Sequence, residues 1–110
     1  ILVGACQEGL GEHVFEDWIL RAQTPQDLIR WVKEDFKLGG HKAAAIAMVL
    51  ENAGISLVSK MDPALVRKSF LEPYEDLQKA FDDAFAKQGE KATVLVMPYG
   101  GSTLPRCTND

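Results

Sequence analysis

Apolar positions follow two patterns along the chain, short unbroken runs and longer stretches with helical spacing. The runs ILVGAC, ISLVS and TVLVM carry no polar alternation, which is typical of parallel strands that helices cover on both faces. Between these runs, apolar residues recur three and four positions apart, which predicts amphipathic helices. The predicted strands are 1–6, 55–59 and 93–97, and the predicted helices are 12–22, 25–36, 41–53, 62–69 and 74–87, with glycine caps at Gly54 and Gly89.

The order of strands and helices predicts an α/β fold. Helical connections between successive strands favour parallel pairing, so we expect a three-layer α/β/α arrangement around a small, mainly parallel sheet of at least three strands. A chain of 110 residues suffices for one domain. Because Ile1 already belongs to a strand and no Met precedes it, we expect a fragment of a larger protein, in which a further strand completes the sheet.

Charge and composition narrow the classes of partner. The formal net charge is −4 and no basic run occurs, which disfavours nucleic acid and anionic membranes as partners. No apolar stretch reaches the roughly 20 residues of a membrane-spanning helix. The two cysteines, Cys6 and Cys107, and the two histidines lack the spacing of a disulfide framework or of a metal site. We therefore expect a reduced, cytoplasmic protein with no metal ligands in this chain.

Three loops follow the predicted strands: 6–11, 59–63 and 98–103. In a parallel sheet these loops gather at the carboxyl edge, where ligands of α/β proteins bind. Gly4, just before the first loop, and Gly9 within it have the spacing of a phosphate-binding loop, but Leu10 and Gly11 stand where Lys and Ser or Thr must follow. We interpret the loop as a sharp turn that needs positive φ angles, or as the lining of a site in a larger protein.

The segment GGHKA is the second candidate. Gly40, His41 and Lys42 begin a predicted helix, whose first N–H groups and positive dipole end attract a carboxylate. His41 adds a titratable donor and Lys42 a fixed charge. The alternative is an ordinary helix start with an exposed Lys and a packed His. His13 has no evident partner, and we expect it to be solvated or to cap its helix.

Five motifs in this order carry a family resemblance: AC-x-EGLG, F-x-x-W, F-x-LGGHKA, LVS and VLVMPYGGSTLP. Together they resemble the C-terminal domain of the LarA-like nickel-dependent lactate racemases, from Ile1 to about Pro105. The resemblance implies a C-terminal domain at 1–105, followed by a tail at 106–110.

The resemblance further implies a two-domain enzyme with its active site between the domains. A nickel pincer nucleotide would be held mainly by the N-terminal domain, which would be the partner of this one, and no catalytic residue would lie in this chain. What remains is one wall of the cleft, with substrate contacts from Glu8, Gly9, Gly40, His41 and Lys42. Lactate-specific members have a Trp at the position that aligns with His41, so another 2-hydroxy acid is at least as good a substrate candidate.

Three functions stay open from the sequence. The first is a domain of a racemase or epimerase of lactate or another 2-hydroxy acid, inactive alone. The second is a binding module that holds an anionic metabolite at Gly40, His41 and Lys42. The third is a structural domain that only packs against a partner and orients it.

Overall fold

The computed structural model describes residues 1–108; Asn109 and Asp110, in the predicted tail, lie outside the described residues. Three helices separate the first two strands of the described chain, as the sequence predicts, but the third strand lies between the last two helices. The strands are β1 (Leu2–Val3), β2 (Ser56–Val58) and β3 (Glu72–Tyr74), and the helices are α1 (His13–Arg21), α2 (Pro25–Glu34), α3 (Gly40–Leu50), α4 (Pro63–Lys68) and α5 (Leu77–Gln88), with a 3₁₀ turn at Gly100–Ser102.

The three strands form one parallel sheet in the order β1-β2-β3. Leu2 lies opposite Leu57, and Val58 lies between Val3 and Tyr74. Helix α4 packs on β3, and α5 packs on β2 and β3, whereas α1, α2 and α3 pack mainly on one another. The expected α/β class with a small parallel sheet is confirmed.

The third strand is not the one that the sequence predicts. Residues 93–97 form no strand, and the side chains of Leu95 and Val96 are 69% and 74% exposed. The third strand is instead β3, the segment Glu72–Tyr74. Its Pro73 lacks an N–H donor, which an edge strand tolerates. Segment 93–97 has strand composition but no partner within residues 1–108, and a strand forms only by pairing.

A contact between side chains joins β3 to α5. Tyr74 Oη donates a hydrogen bond of 2.7 Å to Asp83 Oδ2, and Lys79 Nζ lies 3.0 Å from Asp83 Oδ1. The hydrogen bond from Tyr74, followed by that from Lys79, lowers the pKa of Asp83. The same bond raises the pKa of the Tyr74 phenol. The carboxylate of Asp83, on α5, therefore fixes the end of strand β3 through Tyr74.

Two further predictions need correction. The strand ILVGAC is expected to be buried on both faces, but β1 lies at the edge of the sheet, and Ile1, Leu2 and Val3 are 49–66% exposed. Gly54 is not a helix cap, because α3 ends at Leu50 and the φ angle of Gly54 lies outside the positive region. Gly89 does cap α5, with a φ of 94°.

The core lies among the first three helices. Trp18 and Ile19 of α1 and Leu28 of α2 are buried against the small face of α3, which presents Ala43 and Ala47. This face of α3 packs on helices α1 and α2 more than on the sheet, and Met48 and Val49, on the other side of α3, are exposed. The ring of Trp31, on α2, meets that of Trp18 edge to face at 5.7 Å, a favourable aromatic geometry.

The backbone of Gly40 and the indole of Trp18 are in direct contact in this core. A Cβ added at Gly40 would lie 2.7 Å from Trp18 Cδ2 and Cε3, closer than any van der Waals contact. The indole therefore rests directly on the backbone at the start of α3. Since no side chain fits between them, glycine is required here for space rather than for backbone conformation.

We predict that Gly40→Ala destabilises the fold by about 1–3 kcal/mol, because the added methyl forces Trp18 away from α3. Gly54→Ala is the matched control: a Cβ there meets nothing within 4 Å, so its effect stays below about 1 kcal/mol. Urea unfolding followed by the fluorescence of the two tryptophans measures both. Equal stabilities for the two variants would contradict the packing argument.

Candidate functional site

The loop after β1 consists of two consecutive turns. The N–H of Gly9 donates to the carbonyl oxygen of Cys6 at 3.0 Å, and the N–H of Gly11 donates to that of Glu8 at 3.3 Å. Gly9 and Gly11 have φ angles of 64° and 81°, which glycine adopts without a steric penalty. The interpretation of CQEGLG as a turn that needs positive φ is confirmed. Cys6 also adopts a positive φ, of 52°, which the sequence does not predict.

Two of the three expected loops meet at the carboxyl edge of the sheet. Ser59 Oγ, just after β2, donates to the carbonyl oxygen of Ala5 at 3.1 Å and accepts from the N–H of Met61 at 3.2 Å. This hydroxyl therefore joins the beginning of loop 6–11 to loop 59–63. The third loop, 98–103, follows no strand in the structure, so the reason to expect it at this edge does not hold.

Glu12 links that loop to the first helix. Its carboxylate oxygens accept hydrogen bonds from the N–H groups of Val14 and Phe15 at 3.0 and 2.9 Å, which caps α1. These two bonds, with a smaller contribution from the charge of Lys42, lower the pKa of Glu12. Sequence reasoning misses this role because it places Glu12 inside the helix. An acidic residue directly before an amphipathic stretch is the signal that would have found it.

The carboxylate of Glu12 also lies against Gly39. A Cβ at Gly39 would overlap that carboxylate and lie 3.1 Å from the Cβ of Val14. Gly39 has a φ of 96°, which side chains other than glycine rarely adopt. Two requirements, conformation and space, therefore select glycine at this position. As a result, the N-terminal ends of α1 and α3 lie side by side.

The N–H groups of His41 and Lys42, in the first turn of α3, already have acceptors within the chain. The N–H of Gly39 donates to His41 Nδ1 at 3.0 Å. The N–H groups of His41 and Lys42 donate to the carbonyl oxygens of Lys37 and Gly39 at 3.3 and 3.2 Å. Because Gly39 has a positive φ, the chain turns back on itself and satisfies these donors internally.

The same turn orients the imidazole of His41. Its Nδ1 accepts from Gly39, so the neutral ring carries its proton on Nε2. The ring of Phe36 lies 5.6 Å from that of His41, tilted by 33°. His41 is half-buried and Lys42 is exposed. The groups that this segment offers to a ligand are therefore the Nε2–H of His41 and the ammonium of Lys42.

The five predicted site residues differ in what they can contact. Gly40 is buried beneath Trp18, where it allows α3 to approach α1. Glu8 and Gly9 are exposed in the turn. The contact between loop and helix α3 that the structure shows is made by Glu12 and not by Glu8. His13 is solvated as expected: its side chain is 94% exposed, with Nδ1 3.3 Å from a carboxylate oxygen of Glu12.

Two shallow clefts in the described part of the chain lie elsewhere. One, of about 160 Å³, lies between α1 and α2, and the other, of about 230 Å³, lies at the carboxyl ends of β2 and β3. Within residues 1–108, no group of three or more His, Cys, Asp or Glu side chains is placed to hold a metal ion. In the same residues, every helix is too short or too polar to cross a bilayer. None of the five candidate residues lines either of these two clefts.

We predict that Glu12→Gln changes the pH dependence of stability. The pKa of Glu12 is lowered from its ordinary value of 4.5, so its stabilising effect is complete above that pH and is lost as the pH falls through the lower value of the folded state. The variant should be less stable than the native chain at pH 7, and the gap should narrow towards pH 3. Melting temperatures measured across this range test it, and a gap that is constant with pH would contradict it.

Comparisons with known proteins agree with one another. The family model described as lactate racemase C-terminal domain matches residues 1–104. Among solved structures, the lactate racemase apoprotein from Thermoanaerobacterium thermosaccharolyticum superposes with a TM-score of 0.85 at 23% sequence identity. That match covers 94% of this chain and 26% of the other, so this chain spans about a quarter of the length of that protein. No curated protein matches. Since the family model covers nearly all of the sequence, the chain belongs to the lactate racemase C-terminal domain family.

Proposed function

We propose that this domain forms one wall of an interdomain substrate site in a nickel-dependent racemase or epimerase of 2-hydroxy acids, and that it is inactive alone. The observation that carries the proposal is the start of α3, where a turn fixes the tautomer of His41 beside the charge of Lys42. Family membership supplies the reaction class.

The chemistry of a 2-hydroxy acid suits these two groups. The substrate carries a carboxylate next to a hydroxyl, and both accept hydrogen bonds. Lys42 would attract the carboxylate by charge, and His41 Nε2–H would donate to an oxygen of the carboxylate or of the hydroxyl. Both side chains project from a helix that the core anchors through Gly40 and Trp18, which limits their freedom to move.

Glu12 is a carboxylate near this surface, but its hydrogen bonds hold it at the start of α1. It accepts from the N–H groups of Val14 and Phe15, and the charge of Lys42 is the smallest of the causes that lower the pKa of Glu12. We therefore propose that the ammonium of Lys42 attracts a substrate carboxylate. Glu8 and Gly9, in the turn after β1, would border the site and limit the size of the substrate.

The cofactor proposal concerns the N-terminal domain. A nickel pincer nucleotide supplies hydride exchange with the substrate when it is bound in enzymes of this kind. The described residues of this chain offer no set of metal ligands. We therefore assign the cofactor to the partner domain, and no step that we propose for this chain runs through it.

In the intact protein, we predict that His41→Ala lowers kcat/KM for racemisation about 10- to 100-fold, because one hydrogen-bond donor to the substrate is lost. Chiral chromatography of lactate and of bulkier 2-hydroxy acids measures the rate and identifies the preferred substrate. His13→Ala is the control, since His13 is solvated, and it should leave kcat/KM unchanged. Unchanged kinetics in His41→Ala would overturn the role of His41.

For Lys42→Met in the intact protein, we predict a KM about 10-fold higher with little change in kcat, because Lys42 contributes charge to binding. Lys33→Met, an exposed Lys in the last turn of α2, is the matched control and should retain the native KM. The KM of Lys42→Met should also depend less on salt than that of the native protein. Equal KM values in the two variants would exclude Lys42 from the substrate site.

A further inference from the structure

An exposed aromatic side chain lies beside the candidate site. Phe36 follows the end of α2 and is 62% exposed, whereas the other four phenylalanines, all within the described residues, are partly buried. Leu38, in the same connection between α2 and α3, is 79% exposed. Single apolar residues are common on protein surfaces, so exposure alone assigns no role to Phe36.

The contact of Phe36 with His41 makes its exposure informative. The centroids of the two rings lie 5.6 Å apart, and the rings are tilted by 33°. The imidazole is held by the N–H of Gly39, which donates to Nδ1, so its remaining polar group is Nε2–H. An oxygen atom that accepts from Nε2–H therefore lies within the length of one side chain from the phenyl ring. The imidazole covers only part of that ring, since more than half of Phe36 stays accessible.

The 2-hydroxy acids differ from one another in the side chain on their second carbon. The same carbon carries the hydroxyl and the carboxylate, so an acid that is bound by His41 and Lys42 brings its side chain close to both residues. A methyl group, as in lactate, covers little of a phenyl ring, whereas a benzyl group can lie across it. An apolar wall with a few placed polar groups is the usual composition of a small-molecule site.

We infer that the intact enzyme prefers 2-hydroxy acids with a bulky apolar side chain, and that this side chain packs on Phe36. The inference rests on the proposed function, because it requires that His41 and Lys42 bind the substrate. Phe36 thereby becomes a specificity-determining residue in addition to the five candidates. It contacts the part of the substrate that does not react, so it selects among substrates and takes no part in the chemistry.

Two features favour a substrate over the surface of the partner domain as the group that covers Phe36. The core of a protein–protein interface is depleted in lysine, yet Lys42 is exposed directly after His41. A bulky 2-hydroxy acid also complements all three groups: its carboxylate suits the ammonium, its hydroxyl suits Nε2–H, and its side chain suits the phenyl ring. An apolar domain surface would complement the phenyl ring alone.

The first test compares two substrates in the intact native protein. We expect kcat/KM for the racemisation of phenyllactate to exceed that for lactate about 10-fold, the size of effect that an apolar contact gives to specificity. Chiral chromatography measures both rates. Lactate racemised as efficiently as phenyllactate, or more efficiently, would overturn the inference.

A variant pair tests the role of Phe36 itself. In Phe36→Ala we expect the KM for phenyllactate to rise about 10-fold, with the kinetics for lactate unchanged. Met48→Ala removes another exposed apolar side chain, near the far end of α3, and should leave both substrates unaffected. Equal losses for the two substrates in Phe36→Ala would overturn the inference, because they would show that Phe36 only orients His41. An unchanged KM for phenyllactate would overturn it as well.

Failure of this inference and failure of the proposed function give different results. An intact protein that racemises lactate without a preference for phenyllactate would overturn the inference and support the proposed function. An intact protein that racemises neither acid, nor any other 2-hydroxy acid, would overturn both.

Discussion

The contact of the Trp18 indole with the backbone of Gly40 is the constraint on which the other features of this domain depend. It brings the start of α3 onto α1 with no side chain in between. Because α1 begins at Glu12, the same approach places the capping carboxylate against Gly39. The turn at Gly39 then orients His41 through a hydrogen bond to Nδ1. A packing requirement in the core thus determines which imidazole nitrogen accepts from the backbone and which carries the proton.

The helices are predictable from sequence because their signals are local. Spacing of apolar residues identifies α1, α2 and α3, and Asp62-Pro63 identifies the start of α4, where the Asp62 carboxylate accepts from the N–H of Ala64. Strands depend on partners that are distant in sequence. Segment 93–97 has the composition of a strand and no partner among residues 1–108, whereas Glu72–Tyr74 has little strand character and pairs with β2. Composition alone therefore selects the wrong third strand.

The candidate site shows the same division between local and non-local causes. The turn at Gly9 and Gly11 follows from glycine spacing and is predictable. The internal hydrogen bonds of the Gly39, His41 and Lys42 N–H groups are not predictable, because they depend on the φ of Gly39 and on the orientation of the His41 ring. The capping role of Glu12 likewise depends on the position of the first turn of α1 and on the proximity of α3. The motif GGHKA identifies the candidate segment, and the fold determines which of its hydrogen-bonding groups are already bonded within the chain.

The distribution of buried residues explains how a small sheet with an exposed edge strand and an oriented imidazole coexist in one domain. The buried cluster consists of side chains from α1, α2 and α3, whereas the sheet contributes Leu57 and Val58 from β2. The helices can therefore hold the start of α3 in place without help from the edge strand. The loop that carries Glu8 and Gly9 is held at both ends, by the hydrogen bond from Gly4 to Val58 of β2 and by the cap that Glu12 forms on α1. The loop is thus the element through which the sheet and the helical core restrain each other.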